Sequence, residues 1–113
     1  MKSKILALSK NEDFKNLLQK KKASNKYVTI FYGILDNKDI EKLNISFVTK
    51  KKLGNAVKRN KIKRRLKNII NEAIKNMIVK YNYSYLVIAK PTMLNNEFKK
   101  MKETLFRELE KIR

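Results

Sequence analysis

Between residues 50 and 70 the chain reads KKKLGNAVKRNKIKRRLKNII, with ten Lys or Arg and no acid. Repulsion within so dense a run opposes compact structure. Yet Ile62, Leu66, Ile69, Ile70, Ala73, Ile74 and Met77 recur at i, i+4, i+7, i+8, i+11, i+12 and i+15, the spacing of an apolar stripe along one side of a helix. A long amphipathic helix is therefore predicted, with its stripe buried and its cations outside. The rest of the chain has to supply the surface on which that stripe packs.

Three segments can supply it. YVTIFYGIL (27–35) is β-branched and aromatic, and LNISFVT (43–49) alternates Leu43, Ile45 and Phe47 with Asn44 and Ser46. Both read as strands, the second half-buried, and they are expected to pair as an antiparallel hairpin. YSYLVIA (83–89) is a third strand, stopped by Pro91. A strand, a long helix and a strand in succession imply a crossover and a parallel pair.

Two shorter helices flank these segments. In the first, Phe14, Leu17 and Leu18 share a face, with Ser9 and Glu12 at capping-box spacing and Asn11 as a rival cap. In the last, Asn96 is the expected cap, and Phe98, Met101, Leu105, Leu109 and Ile112 form the stripe. The basic connection KKKASNK (20–26) has room for one more short strand. The fold class is α+β: one α/β sandwich domain spanning 1–113, a small mixed sheet with helices packed on it.

The cations point to a partner. Net charge is +19, and 24 of the 29 basic residues are Lys. Single lysines in so Lys-rich a chain say little, whereas three of the five arginines, Arg59, Arg64 and Arg65, lie inside the opening run. Gly54 permits a positive φ where the chain turns into the long helix, and Asn55 is its predicted N-cap. Seven basic residues then follow between 58 and 67, at the helix end where the macrodipole is already positive and Asp or Glu would stabilise. With Lys50, Lys51 and Lys52 they form a positive pole suited to phosphates. At about 100° per residue, Lys61, Arg64, Arg65, Lys67 and Asn68 spread away from the stripe, with Lys63 at its border.

A membrane partner would need protruding Trp, Phe or Leu on this helix, and its stripe is aliphatic and claimed by the sheet. DNA readers commonly present paired short helices, which the pattern lacks. Structured RNA, read by shape and phosphate, fits. Adjacent Phe31 and Tyr32 point to opposite sides of their strand, so one ring is expected outside the core as a platform for unstacked bases.

The chain has no His and no Cys, and so lacks the usual nucleophile–base pairs. Asp36, Asp39 and Glu41 cluster in a presumed turn, where Asp is favoured for backbone reasons. No apolar run reaches the length of a signal core or of a membrane span. A cytoplasmic RNA-binding protein is expected, with no membrane partner and no small-molecule substrate.

KKLGNAVKRNKIKRRLK (51–67) resembles the signature of the bacterial ribonuclease P protein component. Lys51, Lys52, Leu53, Gly54, Ala56, Arg59, Asn60, Ile62, Lys63 and Arg64 match it in type and spacing. NEDF in the first helix, a strand ending in Tyr32, and YLVIAKP after the long helix agree with it. The chain departs from the pattern at Lys61 and Lys67, which replace arginines, at Leu18, which replaces a second aromatic one turn after Phe14, and at Lys50, often Ser.

The resemblance implies an α-β-β-β-α-β-α fold with a left-handed β-α-β crossover, against the usual right-handed preference. It implies a subunit that binds the catalytic ribonuclease P RNA and assists RNA-catalysed, metal-dependent removal of the 5′ leader of precursor tRNA. The protein alone is then expected to be inactive, with no catalytic residue of its own and Mg²⁺ bound mainly by the RNA. It assigns RNA binding to Lys50, Lys51, Lys52, Asn55, Lys58, Arg59, Asn60, Lys61, Lys63, Arg64 and Lys67. It assigns a leader-binding cleft, between the first helix and the sheet, to Phe14, Leu18 and Tyr32. The alternative from composition alone is a ribosomal protein or RNA chaperone without a nuclease role.

Overall fold

The computed structural model describes residues 5–8, 11–35, 41–76, 78–94 and 97–112. In chain order the elements are β1 (Ile5–Leu6), α1 (Asn11–Leu18), β2 (Lys21–Ser24), β3 (Val28–Gly33), β4 (Leu43–Val48), α2 (Ala56–Lys75), β5 (Ser84–Ala89) and α3 (Phe98–Lys111). Single 3-10 turns lie at Lys51–Leu53 and Pro91–Met93. The basic connection does hold a strand, β2, which forms a hairpin with β3. The turn between them is closed by Asn25, whose Oδ1 accepts from the backbone N–H groups of Tyr27 (2.8 Å) and Val28 (3.0 Å). β1 adds a two-residue parallel strand beside β4 that the periodicity does not announce.

The strand order is β1-β4-β5-β3-β2. β4 and β5 are parallel neighbours, as the crossover requires. The expected hairpin between 27–35 and 43–49 does not form, because β5 lies between β3 and β4, antiparallel to β3. The physical reason is in the side chains. β5 is apolar at consecutive positions, with Tyr85, Val87 and Ala89 on one face and Leu86 and Ile88 on the other, which suits a strand covered on both sides. β4 carries Asn44 and Ser46 on one face and takes a more peripheral place. Asn44 is nonetheless buried, with its Nδ2 donating to the Lys42 carbonyl at 3.4 Å.

Helices cover both faces of the sheet. On one side α2 and α3 bury Ile62, Leu66, Ile69, Ile70, Ala73, Met101, Leu105 and Leu109 against Ile30, Ile45, Tyr85 and Val87. On the other, α1 packs Leu17 against Leu86 and Leu8, with Phe14 and Phe31 at the margin. This arrangement corrects the expectation that one ring of the Phe31–Tyr32 pair lies outside the core. The rings do point to opposite faces, but each face has its own helix layer, and both rings are half-buried. Ser9, Asp36, Asp39, Met77 and Asn96 lie outside the described residues.

Two local features position α2. Gly54 adopts φ 128° and ψ −165°, a region open to glycine, and a Cβ there would meet Lys58 Cδ at 2.8 Å. Asn55 then caps the helix, its Oδ1 accepting from Lys58 N–H at 3.0 Å. Gly54→Ala is expected to lower the unfolding free energy by about 1–3 kcal/mol, read as a lower urea midpoint. Adding Lys58→Ala should leave most of that loss, since the strain is in the backbone.

Tyr85 anchors the far end of the sheet, its hydroxyl donating to the Lys80 carbonyl at 2.9 Å. Burial raises its phenol well above the ordinary tyrosine range. The folded chain therefore keeps this proton in alkali while the unfolded chain releases it, so stability should fall as pH rises above about 10. Chemical denaturation across that range should show a flatter profile for Tyr85→Phe.

Candidate nucleic-acid interface

With the stripe facing inward, the remaining positions of α2 divide into rows at about 100° per residue. Val57, Lys61, Arg64 and Asn68 form a crown opposite the buried Leu66, and all four are exposed. Lys63, Lys67 and Asn71, at i, i+4 and i+8, form a second row on one flank. Lys58 and Arg65 lie on the other flank. There Arg65 is half-buried and donates from Nη1 to the Met93 carbonyl at 3.3 Å. The helical wheel alone puts Arg65 on the outward arc; in the fold the 3-10 turn after β5 rises beside it and engages its guanidinium.

Lys50, Lys51 and Lys52 are exposed just before α2, where buried Leu53 pins the 3-10 turn to the core. No acid lies in the first turn of α2. Among the described residues, none of Lys50–Lys52, Lys58, Arg59, Lys61, Lys63, Arg64 and Lys67 takes part in an ion pair. Glu72, nearer the other end of the helix, pairs instead with Lys102 of α3 at 3.1 Å. Arg59 is half-buried, and its Nε is covered without a hydrogen-bond partner. Asn60 is exposed, and the Asn55 side chain is committed to its cap.

The second row of α2 looks into a cleft of about 520 Å³. β1 pairs with β4 only at Leu43 and Asn44, so beyond Asn44 the outer edge of β4 has no strand partner among the described residues. The cleft opens at that edge. Phe14 of α1 borders it on one side, Lys63, Lys67 and Asn71 of α2 on the other, and Ser46, Phe47 and Val48 form its floor. Ser46 Oγ also accepts from Leu8 N–H at 2.8 Å, tying the segment after β1 across the cleft. The site thus combines two half-buried rings, Phe14 and Phe47, with two ammonium groups and an amide.

Of the three residues that the family resemblance assigns to a cleft, the structure brings Phe14 to this one. Leu18, one turn further along α1, is 49 % exposed and does not line it. Tyr32 points to the α2–α3 face, with its ring centroid 5.8 Å from that of Tyr83. Phe47 and Asn71 were not singled out for the site from the sequence. Asn71 continues the Lys63–Lys67 spacing and was open to that reading, whereas Phe47 reads as an ordinary inward strand residue.

No group of three His, Cys, Asp or Glu among the described residues is placed to hold a metal ion. No helix among them is long and apolar enough to cross a membrane.

Comparison with known proteins agrees with this architecture. The family model "Ribonuclease P" matches residues 3–113. The ribonuclease P protein component of Carboxydothermus hydrogenoformans is 35% identical over 107 residues, covering 91% of this chain and 87% of that one. That of Mesoplasma florum is 34% identical over 98 residues, covering 87% and 86%. The solved ribonuclease P protein of Thermotoga maritima shares the fold, with a TM-score of 0.80 at 21% identity over 96% of this chain and 98% of that one. The chain belongs to the bacterial ribonuclease P protein component family, the protein part of an endoribonuclease that works with an RNA subunit in tRNA processing.

Proposed function

We propose that the rows of α2 divide the work of this subunit. The crown residues Lys61 and Arg64, with Lys50–Lys52 and Lys58, dock on the ribonuclease P RNA. The flank row Lys63, Lys67 and Asn71 faces the 5′ leader of precursor tRNA, held single-stranded in the cleft. The observation that carries this reading is the capped, acid-free cationic end of α2 standing beside a cleft that offers aromatic rings. Phosphates satisfy the ammonium groups, and unstacked bases satisfy Phe14 and Phe47.

The chain has neither His nor Cys, and its described acids do not converge. We therefore assign phosphodiester hydrolysis to the RNA, together with the Mg²⁺ it requires. The protein's part is to hold the leader and neutralise phosphate repulsion where the two RNAs meet. The setting is the cytoplasm, where precursor tRNA is made.

The test is cleavage of precursor tRNA at low Mg²⁺ by the protein alone, by a bacterial ribonuclease P RNA alone, and by the mixture. Efficient cleavage only in the mixture is expected; cleavage by the protein alone would overturn the assignment. The division of rows has its own readout. Lys63→Gln with Lys67→Gln should weaken holoenzyme binding of precursor tRNA about tenfold or more while leaving leaderless tRNA unaffected, since hydrogen bonds to charged groups contribute about 1.5–3 kcal/mol each. Lys61→Gln with Arg64→Gln should instead weaken assembly with the ribonuclease P RNA.

A further inference from the structure

Val57 is 77 % exposed, more than any other large hydrophobic side chain among the described residues. The others that stand out are Leu6, Leu18 and Ile34, at 41 to 59 %. Val57 lies in the first turn of α2 and heads the crown row, with Lys61, Arg64 and Asn68 behind it and the core on the opposite side. Among the described residues nothing covers it. A β-branched side chain is a weaker helix former than Ala, Lys or Glu, and the first turn of a helix favours acids. Single exposed apolar residues are common and need no explanation by themselves. This one is distinguished by its position at the head of a row that continues in two cations and an amide.

We infer that Val57 is an apolar contact that seats the α2 crown on the RNA partner, packing on ribose in the shallow minor groove of an RNA helix. The inference rests on the functional reading above. An A-form helix has a major groove too deep and narrow for side chains, and a wide, shallow minor groove lined by sugars. A short valine reaches only a surface that lies close against the outside of the helix. The longer Lys61 and Arg64 side chains reach past it to phosphates on either strand. Valine thus supplies a contact of fixed reach, and the cations supply strength without fixing depth.

The full chain, with substitutions at single positions, is titrated against ribonuclease P RNA between 50 and 200 mM salt. Val57→Ala should weaken binding about fivefold to tenfold at every salt concentration, from loss of buried apolar contact. The slope of log K against log salt should stay that of the wild type. Its thermal midpoint should be unchanged or higher, because Ala is the better helix former, so misfolding cannot account for the loss. Val57→Ile should bind within about twofold of wild type. Lys61→Gln should instead lower the slope by about 0.7–0.9, the signature of one lost phosphate contact. Val57→Ala binding as tightly as wild type, or weakening with a changed slope, overturns the inference alone. A wild-type chain that does not bind the RNA overturns the functional reading and this inference with it.

Discussion

The fold depends on the burial of one aliphatic stripe. Ile62, Leu66, Ile69, Ile70 and Ala73 are all buried between α2 and the layers beneath it. Fully burying one such Ile or Leu contributes about 1.5–3 kcal/mol. A like-charge pair one turn apart on a helix opposes it by only about 0.2–0.5 kcal/mol. One buried isoleucine therefore outweighs several lysine pairs, and α2 stays helical through a run of charge that would fray an isolated peptide. The same burial fixes the rotation of α2 about its axis. That rotation decides which cations form the crown and which look into the cleft.

Much of this was legible in the sequence because helical spacing reports directly on burial. The stripe of α2, its Gly54–Asn55 entry and the parallel pairing of β4 with β5 all follow from local residue types. The order of the strands did not. Hairpin pairing of consecutive strands is the local default, and it was overridden because β5 is apolar on both faces while β4 has Asn44 and Ser46 on one. That competition is settled only when all strands are present, so neither segment shows it alone. β1, two residues long, carries too little pattern to be read.

The candidate site was legible in part for the same reason. Lys61, Lys63, Arg64 and Lys67 lie on one helix, and a helical wheel places them. The cleft, by contrast, exists because β1 stops short and leaves the edge of β4 without a strand partner among the described residues, and because α1 and α2 lie on opposite faces of the sheet. Phe14 and Phe47 approach it from those different layers. Arg65 shows the limit from the other direction: the wheel puts it outward, but a backbone carbonyl 28 residues further along the chain engages it. Tyr32 occupies the opposite face of β3 from Phe31, and that single alternation separates it from α1 and Phe14.

The other margin of the sheet behaves differently. β2 is an outer strand, with no strand partner on its far side among the described residues. Its Lys21 and Lys22 are exposed, and the Lys22 ammonium lies 5.9 Å from the centre of the Phe31 ring. An unpaired strand invites a second copy to add on, and lysines there deter it. That deterrent is purely coulombic, reinforced by the +19 of the whole chain, so it lasts only while the molecule remains uncompensated. A polyanion that neutralises the lysines without covering the strand unmasks a sticky rim. Colloidal behaviour of the protein with RNA therefore depends on stoichiometry as well as concentration.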